Sequence, residues 1–167
     1  MKIQTVQPVI KETSDCDKCS RHYQFEIFVR QKMLTAANFD LLLKKNHGPG
    51  GDNDYDEPFR EPHFKLKSRF SENVFYADAR YINRISKPSV EWCQPLEFKR
   101  YQELDETMHV YILIGEGARP ASPERVFFFP VKNMGSNRIL YSRIEKYSIS
   151  PLSDLNEAAL LLARLNY

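Results

Sequence analysis

The clearest alternation in the chain lies at 64–70, FKLKSRF, where Phe64, Leu66, Ser68 and Phe70 interleave with Lys65, Lys67 and Arg69. Strand side chains point alternately to opposite faces, so this segment predicts a strand with one apolar and one basic face. FYADARYI at 75–82 alternates in the same way. Val74, Tyr76, Asp78, Arg80 and Ile82 share one face, and Phe75, Ala77, Ala79 and Tyr81 the other. The short SEN at 71–73 turns the first strand into the second as an antiparallel hairpin. HVYILIG at 109–115 is a continuous apolar run, the pattern of a strand covered on both faces. RVFFFPV at 125–131 predicts one more strand, with Pro130 at an edge or an end.

Other segments carry a helical period. From Tyr23, the apolar residues Phe25, Phe28, Val29, Met33, Ala36 and Ala37 recur at steps of three and four, and Leu41–Leu43 close the run. This predicts a helix from about 22 to 45. QPLEFKRYQELDE places Leu96, Tyr101 and Leu104 near one side of a short helix, with Pro95 in its first turn. SPLSDLNEAALLLARLNY predicts a carboxy-terminal helix, capped by Ser150 and lined on one side by Leu152, Leu155, Ala159, Leu162 and Ala163. The glycine-, proline- and acid-rich stretch at 46–62 reads as a surface loop, and RILYSRIEKY at 138–147 stays unassigned. The order of elements makes an α/β domain: a mixed β-sheet flanked by helices, with a hairpin followed by a strand reached through a helical crossover. One domain is expected over 1–167, with an irregular segment at 1–21, a core at 22–149 and the carboxy-terminal helix at 150–167.

Composition narrows the class. Of 167 residues 42% are hydrophobic and 13% aromatic, a globular composition, and no apolar run approaches the roughly 18 residues of a bilayer span. The amino terminus lacks the apolar stretch of a secretion signal, so a soluble cytoplasmic protein is expected. With 24 bases against 22 acids the formal charge is +2, so nucleic-acid binding would have to come from local patches. Three cysteines are too few for a disulfide scaffold and agree with a reducing compartment. Cys16, Cys19 and His22 have a spacing seen in zinc sites, which Cys93 or His47 could complete in space. The acidic DNDYDE at 52–57 lacks the glycine and terminal glutamate of a twelve-residue calcium loop and is expected to be a linker.

Four features read together point further. The opening helix contains Phe25-Glu26, a hairpin strand begins with Pro62-His63-Phe64, its partner carries Asp78-Ala79-Arg80, and a helix and a buried strand follow. This arrangement, over about 22–132, resembles the PD-(D/E)xK superfamily, the restriction-endonuclease-like fold with its αβββαβ-type core. The resemblance implies divalent-metal-dependent phosphodiester hydrolysis on DNA, with Mg²⁺ or Mn²⁺ as cofactor. In that family the acid after the proline and the acid of the acid-x-Lys motif bind metal, and the lysine supports the attacking water. Here His63 stands at the first position and Arg80 at the lysine position. Asp78 keeps the expected chemistry, and Glu26 matches members that draw an acid from the opening helix. Mg²⁺ needs hard oxygen ligands, so an imidazole weakens such a site and suits Mn²⁺ or Zn²⁺ better. Arg80 retains positive charge but cannot lose a proton to act as a base.

The resemblance therefore implies a nuclease-like domain with a degenerate site, weakly active or inactive, whose metal ligands would be Asp78 and His63. A second threading takes Glu97 and Lys99 as the acid-x-Lys pair, if LEFKRY is a strand. It leaves only about eight residues before the buried strand, too few for a crossover helix. Lys99 and Arg100, with Trp92 for base stacking, are candidate nucleic-acid contacts. From the residues alone, Asp78 and Arg80 also fit an ordinary ion pair on a half-buried strand. A non-catalytic interaction module on the same fold, paired into a homodimer through the carboxy-terminal helix, is the reading from another functional class.

Overall fold

The computed structural model describes residues 17–44, 61–83 and 88–165. Its elements, in chain order, are α1 (Asp17–Phe28), a π-helical turn (Val29–Met33), β1 (Phe39–Lys44), β2 (Phe64–Ser68), β3 (Val74–Ile82), β4 (Ser89–Glu91), α2 (Pro95–Asp105), β5 (Val110–Glu116), β6 (Arg125–Pro130), β7 (Arg138–Leu140), α3 (Tyr141–Ile144), β8 (Ser148–Ile149) and α4 (Glu157–Leu165). A six-stranded mixed sheet runs in the order β1-β2-β3-β5-β6-β8, and β4 pairs with β7 apart from it. All its neighbours are antiparallel except β3 and β5, which are parallel and register Asp78 with Ile112 and Arg80 with Ile114. Parallel neighbours need a crossover, and α2 supplies it. The α/β class and the mixed sheet follow the expectation from the sequence.

The alternation of β3 sorts its side chains into two cores. Phe75, Ala77, Ala79 and Tyr81 join Phe25, Phe28, Phe64, Leu66, Tyr111, Leu113 and Leu160 beneath α1 and α4. Tyr76 joins Trp92, Phe98, Tyr101, Ile112, Ile114 and Phe129 beneath α2. The result is three layers with the sheet in the middle. Helix α1 comes so close that a Cβ on Gly115 of β5 would lie 2.7 Å from Phe25 Cδ2 and Cζ, and closer still to Cε2.

Three expectations are corrected. The helix expected over 22–45 stops early, and residues 39–44 form β1. Three consecutive leucines suit either state, and the free side of β2 takes the segment, pairing Phe39 with Ser68 and Leu41 with Leu66. Arg30 fixes the break by donating to the carbonyls of Leu34 and Phe39. Phe70 lies past the end of β2, in the turn, and is 93% exposed. The carboxy-terminal helix begins at Glu157 and not at Ser150: residues 150–153 make a turn, and Asn156 Oδ1 accepts from the Ala159 amide as the cap. Pro130 ends β6, as its missing amide hydrogen demands. Among the described residues no helix is long and apolar enough to cross a membrane. Cys16, His47 and the DNDYDE stretch lie outside the described residues, as does the side chain of Cys19.

Candidate functional site

The residues singled out from the sequence converge on one buried line of polar groups. Glu26 comes from α1, His63 from the approach to β2, Asp78 and Arg80 from the middle of β3, and Glu97 and Tyr101 from α2. His63 Nδ1 lies 2.7 Å from Asp78 Oδ1, and His63 Nε2 lies 3.4 Å from Glu26 Oε1. Arg80 Nε donates to Asp78 Oδ2 at 2.6 Å. Its Nη2 donates to Glu97 Oε1 at 2.5 Å and to the Tyr101 hydroxyl at 3.2 Å, and that hydroxyl donates to Glu97 Oε1 at 3.2 Å. Glu97 Oε2 also accepts from the Gln94 amide at the start of α2, a reciprocal contact usual in a capping box.

Nδ1 of His63, beside Asp78 Oδ1, also accepts from the Ala79 amide at 3.1 Å. The His63 amide lies 3.3 Å from the same oxygen. Both oxygens of Asp78 are thus engaged, Oδ1 by His63 and Oδ2 by Arg80.

Asp78 is fully buried, and Glu26, His63 and Glu97 are nearly so. Burial by itself would raise the Asp78 carboxyl, but the Arg80 guanidinium and then His63 oppose it and hold the group well below the usual carboxylate range. Burial likewise works against the Arg80 charge, and Asp78, Tyr101 and Glu97 overcome it to raise its pKa. The Tyr101 hydroxyl is pushed up by burial and by Asp78, so it stays protonated. Cys93, buried nearby, has its thiol pushed up to about 12, by burial first, and is no nucleophile at neutral pH.

The depressed carboxyl has a pH consequence. A carboxyl whose folded pKa lies below its unfolded value, about 3.9 for Asp, contributes stability that is present above that value and lost as pH falls through and below it. Urea midpoints measured from pH 7 to pH 3 are expected to drop below about pH 4, and less steeply in Asp78→Asn. An equally steep drop in that variant would show that Asp78 is not the group responsible.

A divalent metal, which the nuclease resemblance implies, does not fit these side chains as they stand. Glu26 and Asp78 face opposite nitrogens of one imidazole ring, so they cannot share a metal with it, and Oδ2 of Asp78 faces a guanidinium. Among the described residues no group of three His, Cys, Asp or Glu side chains is arranged to hold a metal.

Protein-family models, curated proteins and solved structures contain no match to the chain.

The remaining candidates separate. The second threading required LEFKRY to be a strand, whereas it lies within α2. Glu97 is buried in the network while Lys99 turns to solvent, so the two do not form a pair. Trp92 has no open face for a base, since its ring packs edge-on against Phe98 and Phe129 and its Nε1 donates to the Ser136 carbonyl. Arg100 lies 3.7 Å from Glu103. Lys67 of β2 pairs with Glu72, and Arg69, in the turn just past the strand, pairs with Asp40, which offsets much of the basic face. Tyr101 was legible as a core residue but not as a member of the network. Its signal was the i, i+4 spacing from Glu97, which puts both side chains on one side of α2.

Proposed function

We propose that this chain is a PD-(D/E)xK-like domain whose metal-dependent phosphodiesterase site has become an internal ionic network, leaving a non-catalytic or weakly active module. The observation that carries the reading is the position of Arg80. Its guanidinium sits between the carboxylates of Asp78 and Glu97, at 2.6 and 2.5 Å, where a hydrolytic site would need a divalent cation. Support also comes from element order. Helix, three antiparallel strands, crossover helix and parallel strand follow one another, with Glu26, His63, Asp78 and Arg80 at the positions where that family carries its motif.

The chemistry argues against turnover. Phosphodiester hydrolysis at a metal site requires a bound water of lowered pKa and an open face for the phosphate. Here the charges are turned to one another, Arg80 cannot take a proton from water, and Asp78 is enclosed.

Purified protein incubated with plasmid or single-stranded DNA and Mg²⁺ or Mn²⁺ is expected to show slow cleavage or none. Efficient Mg²⁺-dependent cleavage that disappears in Asp78→Ala would overturn the proposal.

A further inference from the structure

A cavity of about 250 Å³ opens where the parallel strands β3 and β5 begin, on the α4 side of the sheet and across it from the ionic network. Its floor belongs to the core: Phe75 of β3, Tyr111 of β5 and Leu160 of α4 are buried members of the cluster beneath α4. Val74, Met108 and Leu161 extend this apolar lining. Aromatic rings and a thioether pack well against a flat apolar group, and at the packing density of a protein interior such a volume holds roughly ten non-hydrogen atoms.

The rest of the lining is polar: Ser68, Asn73, Thr107, His109 and Glu157. Most of its donors are already turned to the protein. Thr107 Oγ1 donates to the Leu104 carbonyl at 3.2 Å, and the Tyr111 hydroxyl to the Leu160 carbonyl at 3.1 Å. Ser68 Oγ donates to Glu157 Oε2 at 3.0 Å, while Asn73 Nδ2, at 3.0 Å, and Ser71 Oγ both donate to Oε1. A carboxylate offers about four acceptor positions, two on each oxygen, so Oε1 is full and Oε2 keeps one. These three donors, Ser71 first, hold the Glu157 carboxyl below its ordinary pKa against burial, and Glu157 is an anion at neutral pH. Its partners among the described residues are all neutral. Burial, and then Arg164, lower the pKa of His109, so its uncharged ring does not repel a cation and has a nitrogen able to accept.

We infer that this cavity binds a small amphiphilic amine, with its apolar body against Phe75, Met108, Tyr111 and Leu160 and its ammonium group on Glu157 Oε2. Charge selects the cation: Glu157 is the single charged residue on the lining, with no Lys or Arg beside it to receive an anion. An uncharged apolar ligand would cover the open position on Oε2 without filling it, which costs binding. The form of that position selects an ammonium over a guanidinium. A guanidinium fork pairs best with both oxygens of a carboxylate, and Oε1 is taken, whereas an ammonium needs only one.

The test titrates the full ¹⁵N-labelled chain at neutral pH with 2-phenylethylamine, a ring and an ammonium group of suitable size, and separately with 3-phenylpropionate, a similar body of opposite charge. For so small a ligand a dissociation constant of roughly a millimolar is expected. Saturable amide shifts should gather at 68–75, 107–111 and 157–161, and the acid should bind at least about tenfold more weakly than the amine. Glu157→Gln, which keeps an accepting oxygen but no charge, should weaken the amine by about tenfold. Leu161→Arg, at an exposed position on the rim, should weaken it by at least as much through like-charge repulsion. This second variant decides the matter if Glu157→Gln disturbs the turn at 68–73. The inference is overturned if the amine gives no saturable shifts, so that the cavity holds water alone, or if the acid binds as tightly as the amine. It is equally overturned if either folded variant binds the amine as the natural sequence does.

Discussion

Arg80→Met is expected to lower the unfolding free energy by about 3–5 kcal/mol, the usual result of removing one partner from a buried ion pair. Asp78 and Glu97 would then face each other through a void, both away from water and without the cation between them. Arg80→Lys should fall between, since an ammonium keeps the charge but not the fork that reaches Asp78 through Nε and Glu97 and Tyr101 through Nη2. The combination Asp78→Asn with Arg80→Met should cost less than the two single changes added, because charge and countercharge leave together. Urea unfolding at neutral pH measures all of these. A loss below about 1 kcal/mol for Arg80→Met would place the pair among weak surface contacts and remove the network as the organising feature of the site.

Gly115→Val should be comparably severe, for steric reasons. The Phe25 ring of α1 lies directly against the Gly115 backbone on β5, and a Cβ there would fall inside the ring's van der Waals envelope. Phe25 is fully buried and packs on Tyr81 with ring centroids 5.8 Å apart, so neither ring can withdraw without disturbing the other. Overpacking of a dense core costs roughly 1–3 kcal/mol and sometimes more, and this contact, with little room to relax, belongs at the upper end or beyond. Pairing Gly115→Val with Phe25→Leu tests the cause: a partial return of stability is expected, and a further additive loss would show that the clash is not with Phe25.

The parts legible in the sequence were those where a local pattern and the tertiary environment agree. β3 alternates, and its two sets of side chains enter two different cores. The all-apolar β5 is covered on both faces, and α2 was recognisable by Pro95 and by the crossover a parallel pair needs. What was misread had two local solutions. Leu41–Leu43 continue a helical period equally well, and only the free side of β2, distant in sequence, draws them into a strand. Ser150-Pro151 has the letters of a helix start, but Asn156 caps the helix, while Thr35 donates to Asp154 and Asn38 Nδ2 to the Leu155 carbonyl. At the site, Glu26, His63, Asp78 and Arg80 could be named as a group from their places in the element order. Their pairing could not. That Arg80 spans to Glu97, so that two rival threadings contribute to a single network, depends on how α2 lies over the sheet, and no spacing along the chain encodes that.

The same contacts around Leu155 bear on how the protein is made. The Leu155 amide donates to the Met33 carbonyl, and its carbonyl accepts from Asn38, a partner 117 positions earlier. The early π-turn and the approach to β1 therefore acquire these hydrogen-bond partners only once Leu155, 117 positions after Asn38, has left the ribosome. Until then the apolar residues of α1 and β1 await the side chains of Leu155 and Leu160, and a chain stalled before that point presents an open core and an unpaired strand edge to its neighbours.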